Sequence, residues 1–351
     1  MLFRSIKNRS TQNAVAAKQI RALHKLVLTG TPVENGVADV WSIMDYLLPG
    51  YLGDYELFRD QYEQPIARGD RDGELAQTRL RRKLHPFLLR RLKRDVARDL
   101  PDKLVKTSFC VLTAEQQRVY NALLQEARAR VGGLVAAKGF GRSHVEILAI
   151  LMRLRQVCCH LELLPEFRDA AAAGKPAAEA PSAKLDQFFD LLDEALDGGH
   201  RVLVFSQFVR MLHLIRAGMD RRGLTYCYLD GQSQDRLEQV QRFNRQHDIP
   251  AFLISLKAGG TGLNLTGADM VIHFDPWWNQ AVEDQATDSA HRIGQKRTVY
   301  SIKLIAEQTV EEKVLALQRR KQAIIGATIA TTDEAIVKSL TWDDVRELLE
   351  M

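Results

Sequence analysis

The sequence predicts an α/β protein built around a parallel β-sheet. Short apolar runs that read as strands alternate with helical segments between residues 184 and 305. Two of these runs, Phe252–Ser255 and Met270–Phe274, are mostly apolar and are bounded by Gly, Asp or Pro. Such runs are typical of strands that are covered on both faces. A chain of 351 residues is long enough for two domains, each with its own core.

The strands and helices of this region follow one another closely. A helix containing Leu185 and Leu196 stops at Gly198, and the strand Arg201–Ser206 and a helix to about Arg222 come next. The strand Thr225–Leu229 precedes a helix with Val240 and Phe243 on one face, and a final strand covers Val299–Ile305. This alternation at short spacing indicates βαβ units with parallel strands.

The residues before and after this region are mainly helical. We expect a strand at Lys25–Leu28, a helix over Asn35–Leu48, polar helices between 54 and 100, and a strand over Val105–Leu112. Thr113 and Gln116 form a capping-box pattern that opens a helix to about Arg130. Further expected elements are a helix over Ile147–Leu164, a flexible linker at Ala170–Pro181, a charged helix from Thr309, and a short last helix capped by Thr341 and Asp344.

Charge, cysteine content and hydropathy exclude several classes of protein. The net charge of +5 suits a polyanion partner only weakly. The four cysteines are too few for a disulfide scaffold, and Cys158-Cys159-His160 lacks a second ligand pair at zinc-site spacing. We therefore predict reduced thiols and no metal site. No apolar run has transmembrane length and the first residues, MLFRSIKNRS, lack a signal-peptide core, so we expect a cytoplasmic protein without a membrane partner.

A glycine-rich turn lies between the strands that end at Ser255 and begin at Met270. Gly259, Gly260 and Gly262 permit backbone angles that other residues avoid, and they let a ligand approach the chain closely. Such a turn leaves N–H groups free to bind an anion. The alternative is a strand-to-helix turn that needs small residues for packing alone, and the glycines themselves do not separate the two interpretations.

Rare residue types follow this turn in a dense run, with Asp275-Pro276-Trp277-Trp278-Asn279, Gln285-Ala286-Thr287-Asp288 and His291-Arg292-Ile293-Gly294-Gln295. With the glycine turn before it, this run resembles motifs V and VI of the Swi/Snf-like ATPases, here of the bacterial type. That family is a branch of the superfamily-two helicases whose motors move along duplex DNA. Further matches in the family's order are TGTP from Thr29, PFLLRRLKRDV from Pro86, VLVFSQF from Val202 and YLDGQSQDRLEQVQRFN from Tyr228. The resemblance covers nearly the whole chain.

The resemblance implies a RecA-like parallel sheet, the helicase C-terminal lobe, preceded by a helical protrusion and a remnant of the first RecA-like lobe. The expected boundaries are a first-lobe remnant at 1–53, a helical protrusion at 54–100, an inter-lobe helical region and linker at 101–183, the second lobe at 184–308, and a brace helix and tail at 309–351. Leu161 stands where the family usually has Pro, and we expect it to lengthen the helix around it.

Half of the family's ATP site is missing from the sequence. A complete motor has a phosphate-cradling loop, GxxxxGK[ST], and an acidic strand end that holds magnesium. Neither is present: Gly174-Lys175 is followed by Pro176, and Asp193-Glu194-Ala195 falls within a predicted helix. The chain therefore looks cut off inside its first lobe. We expect ATP and Mg²⁺ to bind only together with a complete first lobe, and neither to be held stably by this chain alone.

Motif positions assign roles to individual residues. Arg292 matches the family's catalytic arginine finger, whereas Ser289 replaces a second arginine of the DRxHR pattern. The positions for nucleotide binding are Gly262, Asn264, Asp288, Arg292 and Gln295. Those for DNA binding are Ser206, Gln207, Lys257, Gly259, Gly260 and Thr261, and those for coupling of the lobes are Thr29, Gly30, Thr31, Arg90 and Arg91. Trp277 and Trp278 are either stacking platforms or, as we favour, packing anchors.

The leading hypothesis is the C-terminal portion of a Swi/Snf-type, DNA-stimulated ATPase that translocates on duplex DNA and remodels protein–DNA complexes. Its expected partners are duplex DNA, bound through backbone phosphates, and a first lobe or upstream chain. The alternative is a DNA-binding or scaffolding module that kept the fold and lost catalysis. An unrelated nucleotide-binding α/β enzyme has little support, because no phosphate loop of its own can be found.

Overall fold

The computed structural model describes residues 9, 11–28, 37–68, 70–89, 99–172, 182–259, 262–325 and 340–351. The chain divides into two compact units, one formed by 1–96 with 320–339 and the other by 97–319 with 340–351. Several predicted features, including Thr29, Gly30, Thr31, residues 90–98, residues 173–181, Gly260 and Thr261, lie outside the described residues.

The regular elements of the first unit, over its described residues, are helices. Its elements are α1 (Gln12–Gln19), α2 (Val37–Leu47), α3 (Tyr55–Phe58), a π-helix (Arg59–Glu63), α4 (Gln64–Arg68), α5 (Arg71–Leu84) and a 3-10 turn (His85–Phe87). Apolar side chains from α2 to α5 form one cluster around Met44, Phe58 and Leu80. The Trp41 indole N–H donates to the Gly53 carbonyl at 3.0 Å, so the chain after α2 is also fixed by a polar contact.

The second unit is built on a six-stranded parallel sheet. Its strands are β1 (Lys103–Cys110), β2 (Val202–Ser206), β3 (Tyr226–Leu229), β4 (Ala251–Ser255), β5 (Met270–His273) and β6 (Val299–Ala306). Their order across the sheet is β1-β6-β5-β2-β4-β3, and every pairing is parallel. The predicted α/β class with a parallel sheet is confirmed. The sheet also takes in β1, from the segment predicted to lie between the lobes.

Helices surround this sheet. They are α6 (Ala114–Lys138), α7 (His144–Cys159), α8 (Pro165–Ala172), α9 (Ala183–Asp197), α10 (Val209–Arg221), α11 (Arg236–Arg245), α12 (Leu256–Gly259), α13 (Gln280–Thr287), α14 (Val310–Ile325) and α15 (Trp342–Leu349). Short 3-10 turns cover Phe140–Arg142 and Leu161–Leu163. Among the described residues, none of the helices is long and apolar enough to cross a membrane.

The core has two layers, one on each face of the sheet. Because successive side chains of a strand point to opposite faces, Phe252 and Ile254 of β4 pack with α11, whereas Ala251 and Leu253 pack with α9 and α10. All five residues of β2 and of β4 are buried. This burial on both faces explains why the two strands are continuous apolar runs.

Two local predictions are wrong. Lys25–Leu28 is not a strand: Leu26 is 75% and Leu28 70% exposed, and no described strand pairs with them. The helix predicted to reach Leu164 ends at Cys159, because His160 is extended and its ring Nδ1 accepts a hydrogen bond from the Glu162 N–H at 3.1 Å. Leu161 therefore does not lengthen the helix but is buried in the turn that follows.

Candidate functional site

Arg292 is tied to the segment that follows the glycine turn. Its Nη1 donates to the carbonyl of Gly262 at 2.9 Å, and Gly262 has a positive φ of 71°, which favours glycine. Nearby, the Leu265 N–H donates to the Ser289 carbonyl at 2.8 Å. The structure therefore brings Gly262 and Arg292 together and links the predicted motif V segment to the motif VI segment. The Arg292 side chain is partly exposed rather than buried in its own core.

Asn264 and Gln295, two further candidates for nucleotide binding, make hydrogen bonds in the same region as Arg292. Asn264 is exposed, and its carbonyl accepts a hydrogen bond from the Asn244 side chain at 2.8 Å. The Gln295 amide is buried, and its Nε2 donates to the carbonyls of Ala268 at 2.7 Å and Ala290 at 3.1 Å. Its Oε1 accepts from two backbone N–H groups, both at 2.9 Å. With its amide used inside the protein, Gln295 positions the backbone on either side of Arg292.

Asp288 and His291 connect this segment to the start of β1. The Lys103 ammonium lies 3.8 Å from the Asp288 carboxylate, and a His291 ring nitrogen lies 2.8 Å from the Pro101 carbonyl. Ser289, between them, is only 1% exposed, and its hydroxyl finds no hydrogen-bond partner among the described residues. Ser289, which the resemblance aligns with a second arginine of the family, thus lies beneath the surface.

Helix α13, which leads into Asp288, is docked on the sheet by buried polar contacts. Glu283 accepts hydrogen bonds from the Lys303 ammonium at 2.5 Å and from the Trp277 N–H at 2.7 Å. The Thr287 hydroxyl lies 2.9 Å from a His273 ring nitrogen and 3.1 Å from the Ser301 hydroxyl. Burial, aided by Lys303 and Lys103, lowers the pKa of His273 to about 3, so this imidazole is neutral at physiological pH.

The DNA-binding candidates gather at the carboxyl ends of β2 and β4, which are neighbours in the sheet. Ser206 pairs with Ser255 in the strand register. Lys257 is exposed on α12 just beyond Ser255, and Gly259 packs so closely that an added Cβ would lie 2.6 Å from a Phe205 ring carbon. The structure therefore brings Ser206, Lys257 and Gly259 to one edge, which we call the carboxyl edge.

The side chains of the buried Ser206 and the half-buried Gln207 both donate hydrogen bonds to Asp275. Ser206 is 1% exposed, and its hydroxyl donates to Asp275 at 2.5 Å. The Gln207 amide donates to the same carboxylate at 2.6 Å. The next helix, α10, begins at Val209, and the Phe208 side chain makes no capping hydrogen bond to its first turn. N–H groups at the start of a helix can bind water or an anion. At this edge it is the backbone that can meet a phosphate.

Arg155 is a residue of this region that the sequence reasoning missed. It lies on α7, is completely buried, and its guanidinium donates to the Pro276 carbonyl and, at 3.2 Å, to the Gln207 side-chain oxygen. The sequence does contain a pattern that marks Arg155 as a buried residue. Arg155 falls on the apolar face of α7 with Leu151, Leu154 and Cys158, and a charged residue in such a stripe is rarely buried without partners.

Trp277 and Trp278 are packing residues, as we favoured. They are only 8% and 7% exposed. The Arg155 guanidinium lies 5.3 Å from the centre of the Trp278 ring, and the Gln318 side chain of α14 donates to the Trp277 carbonyl. The pair therefore anchors the segment after β5 rather than offering a surface for bases.

The sheet, its carboxyl edge and the tethered arginine define a RecA-like helicase lobe. Residues 4–163 match the SNF2-related domain and residues 183–294 the helicase conserved C-terminal domain. A Sulfolobus solfataricus SWI2/SNF2 ATPase core in complex with dsDNA is 33% identical, with a TM-score of 0.58 over 99% of this chain and 71% of that one. The C-terminal domain of a Sulfolobus solfataricus SWI2/SNF2 ATPase is 28% identical, with a TM-score of 0.55 over 70% of this chain and 98% of that one. The chain belongs to the Swi2/Snf2 family of ATP-dependent helicases and translocases.

Curated bacterial relatives align along almost the whole chain. The putative ATP-dependent helicase/translocase YwqA of Bacillus subtilis is 38% identical over 96% of this chain and 35% of its own length. An uncharacterized ATP-dependent helicase of Mycoplasma genitalium is 34% identical over 98% of this chain and 32% of its own length. The chain thus spans about a third of the length of these bacterial relatives.

Proposed function

We propose that this chain supplies the second-lobe half of a DNA-stimulated, ATP-dependent motor that translocates on duplex DNA and remodels protein–DNA complexes. The observation that carries the proposal is the placement of Arg292, which is partly exposed and hydrogen-bonded to Gly262. An arginine held at the surface by its own lobe is suited to reach a phosphate bound by a second lobe.

Catalysis by such an arginine is electrostatic. Phosphoryl transfer develops negative charge on the γ-phosphate oxygens, and a guanidinium supplied across a cleft stabilises that charge. When bound, ATP with Mg²⁺ supplies the phosphoanhydride bond and partial charge neutralisation. Here Nη1 of Arg292 is fixed by the Gly262 carbonyl, while Gln295 fixes the backbone on either side. Gly262, Asn264 and Asp288 remain proposed nucleotide contacts.

The carboxyl edge is the proposed DNA-binding surface. Backbone N–H groups and a lysine hold phosphates without reading bases, and they position a protein on DNA whatever its sequence. The first turn of α10 and the exposed Lys257 provide these groups, and the side chains of the buried Ser206 and the half-buried Gln207 support the backbone behind them. Gly259, Gly260 and Thr261 remain proposed contacts, and Thr29, Gly30, Thr31, Arg90 and Arg91 remain proposed lobe-coupling residues.

An ATPase assay tests the catalytic half of the proposal. The purified chain with duplex DNA and Mg-ATP is expected to release no phosphate above a mock preparation, because its sequence has no phosphate loop. Fusion to a first lobe that carries this loop and the acidic box is expected to give DNA-stimulated turnover. Replacing Arg292 by Ala in the fusion should lower the rate by about 10³-fold or more, the effect typical of arginine fingers.

Two results would contradict the proposal: DNA-stimulated turnover by the chain alone, or a fusion whose rate is insensitive to Arg292→Ala. The fusion is also made with Ser289→Arg, which tests whether the missing arginine limits the rate. A higher ATPase rate in the fusion with Ser289→Arg would show that Ser289 limits the reaction. Because position 289 is 1% exposed, each fusion is first checked for an unchanged unfolding midpoint. A fusion that binds duplex but never hydrolyses ATP would favour the scaffolding module instead.

A further inference from the structure

We infer that Arg155 is a positioning residue for DNA binding, which holds the ends of β2 and β5 against α7 so that the first turn of α10 faces the DNA backbone. The identity of the ligand rests on the proposed function above. The role of Arg155 itself rests on its contacts, which join three segments that are distant in the sequence.

Arg155 connects these segments through one guanidinium group. It donates to the side-chain oxygen of Gln207, just after β2, at 3.2 Å. It also donates to the carbonyl of Pro276, after β5, and lies 3.8 Å from the carboxylate of Asp275. Both Arg155 and Asp275 have fully buried side chains. A planar guanidinium donates in several fixed directions at once, which the ammonium group of a lysine does not match.

Asp275 connects Arg155 to the carboxyl edge through further hydrogen bonds. Its carboxylate accepts from the Ser206 hydroxyl at 2.5 Å, from the Gln207 N–H at 3.3 Å and from the Gln207 amide at 2.6 Å. Ser206 in turn accepts from the Phe208 N–H at 3.1 Å, immediately before α10 begins at Val209. A continuous series of hydrogen bonds therefore leads from Arg155 to the first turn of α10.

The charge of Arg155 keeps Asp275 able to accept these bonds. Burial raises the pKa of Asp275, whereas Arg155, together with the donors Ser206 and Gln207, opposes that shift. A buried carboxylate that loses its cation either stays ionised at a large cost or takes up a proton. A protonated Asp275 accepts more weakly from Ser206 and Gln207, and an ionised Asp275 without its cation destabilises the buried segment that holds it. In both cases the start of α10 is less firmly positioned.

Gln116 offers a matched control for a purely structural effect. Its buried side chain ties α6 to the same helix, α7, by donating to the Val157 carbonyl at 2.7 Å, and it accepts from the Ala183 N–H at 3.0 Å. None of these contacts involves the carboxyl edge. Gln116→Leu therefore removes a buried polar tie to α7, as Arg155→Lys does, without altering the hydrogen bonds around Asp275.

The test measures duplex affinity and amide hydrogen exchange in the same 351-residue chains, at a temperature where each is folded by circular dichroism. Arg155→Lys is expected to weaken binding of a fluorescent duplex about tenfold. It should also speed hydrogen exchange over residues 206–211. Gln116→Leu is expected to lower the unfolding midpoint but to leave duplex affinity within about twofold of the unsubstituted chain.

Further comparisons make the inference falsifiable. If Arg155 acts through Gln207, adding Arg155→Lys to Gln207→Ala should cost little further affinity, whereas additive losses would overturn the inference. Unchanged affinity in Arg155→Lys, or an equal loss in Gln116→Leu, would also overturn it. If the unsubstituted chain binds no duplex, the proposed function fails, and the exchange data alone decide: unchanged exchange over 206–211 in Arg155→Lys refutes the positioning role.

Discussion

In the second unit, the charge state of a buried ionisable side chain is set by the residues that it contacts. Lys184 is completely buried, and burial alone favours its neutral form. The Glu311 carboxylate lies 2.5 Å away and outweighs this effect, so the pKa of Lys184 is raised. Removing one partner of such a pair leaves an uncompensated buried charge, which costs about 3–5 kcal/mol of stability. The thiols of Cys158 and Cys159 beside this pair are buried, and burial raises their pKa.

The buried histidines predict a loss of stability in acid. Burial lowers the pKa of His273 to about 3 and that of His160 to about 4, whereas both titrate near 6.5 when unfolded. Below about pH 6.5 the unfolded chain binds more protons than the folded one, so the stability present above this pH is lost as the pH falls towards the folded values. Each histidine is expected to contribute roughly 1.4 kcal/mol per pH unit between these limits.

Urea unfolding at pH values from 7 to 4 measures this effect. His273→Gln should give a shallower dependence of the unfolding free energy on pH than the unsubstituted chain, because one of the two buried histidines has been replaced by a side chain that does not titrate. His247→Gln is the matched control, since His247 is exposed. Parallel curves for the unsubstituted chain and His273→Gln would show that His273 is not held neutral by burial.

At the scale of elements, helix ends were predicted best where a local side chain fixes them. Thr113 and Gln116 form the expected capping box at the start of α6, with the Gln116 N–H 3.1 Å from the Thr113 hydroxyl. Thr341 and Asp344 do the same for α15. Both partners of a capping box lie within four residues, so the sequence contains all the information that the structure uses.

The cap at Thr113 gives a direct stability prediction. Thr113→Ala is expected to lower the free energy of unfolding by about 1 kcal/mol, because an N–H group at the start of α6 loses its acceptor. Thr113→Ser keeps a hydroxyl at the same position and should stay close to the unsubstituted chain. The urea midpoints of the three proteins measure the difference. Equal midpoints for the Ala and Ser variants would mean that the hydroxyl contributes nothing.

Elements that depend on distant partners were predicted less well. Lys25–Leu28 has the composition of a strand, but a strand forms only with a neighbour, and none of the described strands pairs with it. Arg155 lies 52 residues from Gln207 and 121 from Pro276, so periodicity could mark its position but not its contacts. The strands β2, β4 and β5 were predicted well, because their burial on both faces leaves a continuous apolar run.

At the scale of the whole molecule, the resemblance to a family supplied what local patterns do not. The glycine turn alone left packing and anion binding equally open, and only the motif order assigned Arg292 a role. The structure then added the bond from Arg292 to Gly262. It also placed Ser206, Gln207 and Gln295 as supporting residues with their side-chain groups used internally. Motif matching identifies positions, whereas burial decides which atoms at those positions can reach a ligand.

The proposed DNA surface predicts how binding by the whole chain responds to salt. Backbone phosphate contacts release counterions, so the logarithm of the association constant should fall linearly with the logarithm of salt concentration, by about 0.9 per phosphate neutralised. Duplexes of unrelated sequence should bind equally. Lys257→Gln is expected to reduce the slope by about 1. Titrations of a fluorescent duplex at several salt concentrations measure this, and salt-independent or absent binding would contradict a nucleic-acid role.

The pairing of β1 with β6 has a consequence for how the protein is made. Lys103 lies opposite Val299, so the two strands leave the ribosome nearly two hundred residues apart. At about 5–20 residues per second, β1 waits roughly 10–40 s for its neighbour. During that interval β1, including Leu104 and Phe109, lacks the described strand with which it pairs. Among the described strands, the one synthesised last therefore pairs with the one synthesised first, and a nascent chain stalled before Val299 is expected to be prone to aggregate through its unpaired β1.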